Sequence, residues 1–168
     1  MDILEVIKTR RSIRKYKPDS ITEQEIDKIL EAGRWAPSAN NSQPWKFIVL
    51  RDPERRKKLA DILTWGKFIS QAALGIAVTV NPTASDHPVE DGAAATQNIL
   101  LEAHSLGLGA CWIGTYGSED EAGAKKVLNI PGDERLLSII VIGHPAETPR
   151  GMRRRLAELT FIDEYGKR

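Results

Sequence analysis

Leu74-Gly75-Ile76-Ala77-Val78-Thr79-Val80, led in by Ala72-Ala73 and stopped by Asn81-Pro82, is the longest apolar run in the chain. It is too short to span a bilayer, so it reads as a buried strand. Three more short runs resemble it: Trp45 to Leu50, Ala110 to Ile113 and Leu136 to Ile142. All are β-branched or aromatic and mostly lack clean alternation, as expected of strands covered on both faces. The segments between them carry helical signals. Asp2 with Glu5, Thr22 with Glu25 and Ser118 with Glu121 stand at capping-box spacing, and Ile21 and Ile26 add staple positions to the second. Ile26, Ile29 and Leu30 form one apolar face, which Gly33 is expected to end. Asp52-Pro53 opens a further helix with Leu59, Ile62 and Leu63 inside. Val89 to Leu106, rich in Ala and Leu and closed by Gly107, reads as a central buried helix. Alternating helices and strands predict a three-layer α/β or α+β domain.

The 168 residues suit a single domain, without repeats or linkers, that buries roughly 70% of its unfolded surface. The polar stretch from Gly151 to Arg168 is expected to form an arm or a final edge strand. With 24 basic and 23 acidic residues, the net charge of +1 argues against a protein built to coat nucleic acid. The single cysteine, Cys111, excludes an internal disulfide and fits a reducing compartment. Asp2, Glu5, Lys8, Arg10 and Arg11 leave no room for a signal-peptide apolar region, so a soluble cytoplasmic protein is expected.

Several chemistries find no motif. There is no Walker A sequence and no Gly-x-Ser-x-Gly elbow, and His87, His104, His144 and Cys111 lack metal-ligand spacing. Gly107-Leu108-Gly109-Ala110-Cys111-Trp112 begins like a dinucleotide fingerprint. It carries Trp in place of the third Gly, and it follows a helix and precedes a strand, the reverse of that motif's order. Neither a bound metal nor a protein nucleophile is expected.

Four stretches carry polar signals. In Arg10-Arg11-Ser12-Ile13-Arg14-Lys15-Tyr16-Lys17, an extended backbone sends Arg10, Ser12 and Arg14 to one side. Two guanidinium forks and a hydroxyl there suit a phosphate, although a solvated basic turn would carry the same residues. Ala36-Pro37-Ser38-Ala39-Asn40-Asn41-Ser42-Gln43-Pro44-Trp45 offers neutral donors and acceptors on a proline-restricted loop. Such a loop can read the polar edge of a planar heterocycle; the plainer alternative is an Asx-capped turn. Cys111-Trp112-Ile113-Gly114-Thr115 ends a strand, where Gly114 would let a backbone N–H approach a flat ligand. Arg150 and Arg153-Arg154-Arg155 either complete a phosphate site or form a solvated tail.

Taken together and in this order, the chain resembles the FMN-dependent nitroreductase family. The resemblance rests on R-R-S-I-R-K-Y at 10–16, A-P-S-A-N-N-S-Q-P-W at 36–45, D-G-A-A-A-T-Q-N-I-L-L-E-A at 91–103, G-L-G-A-C-W-I-G at 107–114 and G-H-P-A-E at 143–147. It implies an α+β sandwich with a central mixed sheet, forming an intertwined homodimer with two FMN sites built from both chains. By position, Arg10, Arg11, Ser12 and Arg14 resemble phosphate-proximal and pyrimidine-side contacts, and Arg153 and Arg155 resemble closing phosphate ligands. Pro37, Ser38, Ala39, Asn41 and Gln43 resemble a loop supplied by the partner chain. Ile113 and Gly114 match the segment along the isoalloxazine, with the Gly114 N–H near N5. Lys67 is matched to a lysine at the flavin's N1–O2 edge.

The implied reaction is ping-pong: NAD(P)H donates hydride to flavin N5, then a nitroaromatic, quinone or similar small acceptor binds the same face. Two departures stand out. Little sequence separates Val80 from Val89, where many relatives carry a longer helical excursion, and Ile113 stands where the best-known subgroup has Glu. A same-fold flavoprotein with another role, such as flavin destruction or reductive dehalogenation, is an alternative. A basic nucleic-acid module using Arg10 to Lys17, Arg55 to Lys58 and Arg153 to Arg155 is another.

Overall fold

The computed structural model describes residues 2–167. Its elements run α1 (Ile3–Thr9), α2 (Glu23–Arg34), β1 (Trp45–Leu50), α3 (Pro53–Ile62), β2 (Leu74–Val80), α4 (Pro88–Ser105), β3 (Gly109–Gly114), α5 (Asp120–Leu128), β4 (Arg135–Gly143) and α6 (Leu156–Leu159). The four apolar runs form one sheet in the order β1-β2-β4-β3, antiparallel at every strand pair. The parallel component of the expected mixed sheet reduces to an isolated bridge between Ser12 and Ala110.

The central strands β2 and β4 are buried on both faces, which is why their runs do not alternate, while Lys46 of β1 and Trp112 of β3 at the edges are exposed. On one face Ile76, Val78, Ile140 and Ile142 meet Ile26 and Ile29 of α2 and Ile99 and Ala103 of α4. On the other, Ala77, Leu136, Ile139 and Val141 meet Leu59 of α3, Leu63 and Leu128 of α5. Pairing steps from Val78–Ser138 to Thr79–Leu136, so Leu137 is skipped in a bulge and packs on the same face as Ile140. The sheet is thus the middle layer of an α+β sandwich.

Thr22 caps α2 through a complete capping box with Glu25, and the Asp52 side chain accepts from the Glu54 N–H at the start of α3, as the sequence predicts. Three local expectations are corrected. Asp2 precedes α1 but its exposed carboxylate makes no capping bond. Ser118 does not cap α5, because its hydroxyl donates to the Thr115 carbonyl while Glu121 is drawn to Arg135 and the Gly117 and Leu136 N–H groups. Gly33 does not end α2. It lies inside the helix, where a Cβ would sit 2.9 Å from Ile99 Cδ1 and 3.0 Å from Phe47 Cζ, so it serves close packing against α4 and β1. Beyond Pro149 the described chain forms short α6 and no edge strand.

Candidate functional site

Segment 10–17 leaves α1 extended and fastened along its length. The Arg10 N–H donates to Val6 O at 3.0 Å, and the Arg11 guanidinium donates to Lys8 O and Arg10 O, each at 2.7 Å. Arg11 therefore serves the free carbonyls at the end of α1. The Ile13 N–H donates to Ala110 O at 3.0 Å, and the Arg14 and Lys15 N–H groups share Glu147 Oε1 at 2.6 and 3.2 Å. The partly buried Tyr16 hydroxyl donates its proton to Ile13 O at 2.5 Å with Val141 O 3.2 Å away, and its phenol is pushed above the ordinary range mainly by burial. It stays a neutral donor.

This bracing concentrates positive charge. Burial, then neighbouring Arg153 and Arg11, hold the Arg10 guanidinium below its usual value. Like charges gathered on a half-buried surface cost free energy until an anion joins them. Ser12 and Arg14 flank Cys111, whose buried thiol is pushed up by desolvation. Cys111 is an uncharged wall here rather than a nucleophile.

Arg14 also borders a cleft of about 670 Å³, shared with Thr64, Trp65, Gly66, Lys67, Phe68 and the strand end Cys111 to Gly114. That volume suits a medium-sized ligand. A Cβ on Gly114 would meet no atom within 4 Å, so the strand's last backbone unit borders open space. Across the cleft, Gly66 is held close, since a Cβ there would lie 2.7 Å from Ile113 Cδ1. The Thr64 N–H and hydroxyl bind Asp120 at 2.9 and 3.0 Å, which leaves Trp65 braced on both sides yet 85% exposed. Aromatic side chains, open space at the Gly114 backbone and the cations Arg14 and Lys67 together suit an anionic heteroaromatic group such as FMN.

The loop at 37–43 lies beside the start of β1, away from this cleft. Asn40, Asn41 and Gln43 have φ of 52°, 55° and 47°, a left-handed conformation that costs non-glycine residues about 1 kcal/mol or more each. Gln43 adopts it directly before Pro44, where it is further disfavoured. The Gln43 N–H donates to Ser38 Oγ at 3.0 Å, and the Ala39 N–H donates to Asp91 Oδ1 at 2.9 Å. Pro37 is exposed.

Of the residues singled out from sequence, Arg14, Lys67, Ile113 and Gly114 share the cleft. Ser12 and Arg10 lie near Cys111, which lines it. Arg153 and Arg11 neighbour Arg10, and Arg11 borders a separate pocket with Thr9, Ile13 and His104. Pro37, Ser38, Ala39, Asn41 and Gln43 are not among the residues lining it. Arg155 pairs with Glu158 at 3.2 Å on the exposed arm. Sequence reasoning missed Thr64, Trp65 and Phe68; their signal was an aromatic-glycine pair between a helix and a strand. The suggested basic stripe at 55–58 is broken, because Arg56 turns inward to Leu50 O and Arg51 O. Among the described residues, no helix is long and apolar enough to cross a membrane, and no cluster of His, Cys, Asp or Glu could hold a metal.

The nitroreductase family model matches residues 7–83 and 64–144. A Methanothermobacter thermautotrophicus protein, provisionally named NADH dehydrogenase/NAD(P)H nitroreductase, is 44% identical over 153 residues, covering 89% of this chain and 80% of its own. Among solved structures, an FMN-dependent nitroreductase of Clostridium difficile superposes with a TM-score of 0.91 at 30% identity, over 96% of this chain and 99% of that one. A provisionally named nitroreductase of Desulfovibrio desulfuricans, solved in complex with FMN, gives a TM-score of 0.86 at 35% identity, over 98% of each chain.

Proposed function

This chain belongs to the nitroreductase family, and from that premise we propose that it is an FMN-dependent NAD(P)H oxidoreductase reducing small planar acceptors such as nitroaromatics or quinones. The observation that carries the reading is the open cleft beside Gly114, lined by the cations Arg14 and Lys67, with Arg10 and Ser12 close to its wall at Cys111.

When bound, FMN supplies hydride acceptance from NAD(P)H and hydride release to the acceptor. Arg10, Ser12 and Arg153 are the groups that would hold its phosphate, and a dianion there would relieve the repulsion among the arginines. Arg155 is assigned to the same phosphate, reached from the arm once it leaves Glu158. Ile113 would support the ring system, and the Gly114 N–H is the donor that would serve N5. Arg14 and Lys67, both lining the cleft, would supply positive charge to a flavin that gains electrons, a preorganised electrostatic stabilisation. One open face serves donor and acceptor in turn, which gives ping-pong kinetics.

We assign the loop at 37–43 to the flavin site of a partner subunit in a homodimer. Its strained backbone, its separation from the cleft and the exposed Ile3, Leu4, Ile7, Leu156 and Leu159 support that assignment. Residues 1–168 are read as one FMN-binding domain with about 150–168 as its arm. The buried, unpaired Cys111 supports a reducing, cytoplasmic setting. The test is to denature purified protein and chromatograph the released cofactor. FMN is expected; FAD as the stoichiometric species, or no flavin affinity, refutes the proposal.

A further inference from the structure

Asp91 is a buried carboxylate, 5% exposed, in the first turn of α4. The free N–H end of the helix favours negative charge there, but burying an ionised group still requires hydrogen-bond partners. Its partners all come from segments before α4. The Ala39 N–H donates at 2.9 Å, the Ser42 hydroxyl at 3.5 Å and the Ser85 hydroxyl at 2.5 Å. Ala39 and Ser42 bracket Asn40 and Asn41, the two consecutive left-handed residues of the loop. Ser85 belongs to the short connection from β2, which is itself tied to the loop by the Asn81 N–H donating to Pro44 O at 2.9 Å. A residue serving α4 alone would have no reason to span 52 positions in sequence to a strained turn.

We propose that Asp91 is a positioning residue for cofactor binding. Its carboxylate grips both ends of the left-handed turn, so that exposed Asn41 and Gln43 form a preformed polar cradle for the flavin of the partner subunit. The inference rests on the function proposed above. Preorganisation of this kind acts on affinity, because a slack loop must be ordered when the ligand binds.

The experiment titrates apo-protein with FMN, following flavin fluorescence, alongside limited proteolysis of the unloaded protein. Asp91→Ala should raise the FMN dissociation constant ten- to hundredfold and expose residues 37–43 to cleavage, while kcat at saturating FMN is largely kept. Asp91→Asn keeps an oxygen for the Ala39 N–H, and its amide can donate to hydroxyls that also accept. It should bind FMN within about threefold of wild type. If Asp91→Ala does not fold, the Ser42→Ala/Ser85→Ala double variant, which strips the carboxylate of both hydroxyls, must weaken FMN at least threefold. Unchanged affinity in Asp91→Ala or in the double variant, with wild type binding normally, overturns the inference alone. Failure of wild type to bind FMN overturns the proposed function and this inference with it.

Discussion

Replacing Arg10 by alanine should separate the stability of the empty protein from its affinity for FMN. In the folded chain, burial and then the charges of Arg153 and Arg11 depress the Arg10 pKa. A base with a depressed folded pKa contributes an unfavourable term at every pH below that value, so the term is fully present at neutrality. Removing the side chain removes the term, and the apo-protein should lose no more than about 0.5 kcal/mol. Loaded protein should behave otherwise. A charge-assisted bond to phosphate is worth about 1.5–3 kcal/mol, or roughly ten- to hundredfold in affinity. At FMN fixed at 100 times the wild-type Kd, ligand binding stabilises wild type by about 2.7 kcal/mol. The variant should gain only about 1.4 kcal/mol at tenfold weaker binding and about 0.4 kcal/mol at hundredfold. At roughly 2–4 °C per kcal/mol for a chain of this size, thermal melts of apo and loaded forms resolve the difference. Protein concentration is held constant, because the melting temperature of the proposed homodimer would depend on it. An apo-variant that is strongly destabilised yet binds FMN normally would show Arg10 to be a packing residue and refute the reasoning.

Gly66→Ala, which drives a Cβ to 2.7 Å from Ile113 Cδ1 and 2.9 Å from Leu63 Cδ1, should cost about 1–3 kcal/mol in denaturant melts. Unchanged stability would mean that the two side chains yield freely. Hydrogen bonding to Arg135 holds the Glu121 carboxyl below its usual value, so its contribution is present above the unfolded pKa near 4.3 and is lost as pH falls through the folded one. Glu121→Gln should cost about 1–2 kcal/mol at pH 7, discounted for the partial exposure of Arg135, and flatten the acid limb of stability against pH; an unaltered limb contradicts this. Arg14→Ala and Asn41→Asp, each inactive alone, should recover about a quarter of wild-type activity when co-refolded, because half of random dimers are mixed and each holds one intact site. Verified mixed dimers without recovery would put both segments at the same chain's site.

The fold was legible where local chemistry acts alone. Thr22 with Glu25 and Asp52 with the Glu54 N–H contain their own capping partners, and the runs of β2 and β4 name their strands because burial on both faces leaves them continuously apolar. Legibility failed where a distant group competes. Glu121 answers Arg135 rather than Ser118, and Gly33 answers Ile99 and Phe47 rather than a helix end. At the site, the arginine segment announced itself by charge and spacing. Trp65 and Asp91 did not, because the first sits on a loop held by the Thr64–Asp120 bond and the second bonds the backbone of Ala39, 52 positions away. Neither relation has a local sequence period.

Whether this chain is an oxidoreductase is decided by adding NADH or NADPH, without oxygen, to the purified flavin-loaded protein and recording its visible spectrum. The absorbance of oxidised flavin should be lost with at least one donor and return in full when a quinone is added. Protein that holds FMN yet keeps its oxidised spectrum with both donors would contradict the proposed activity.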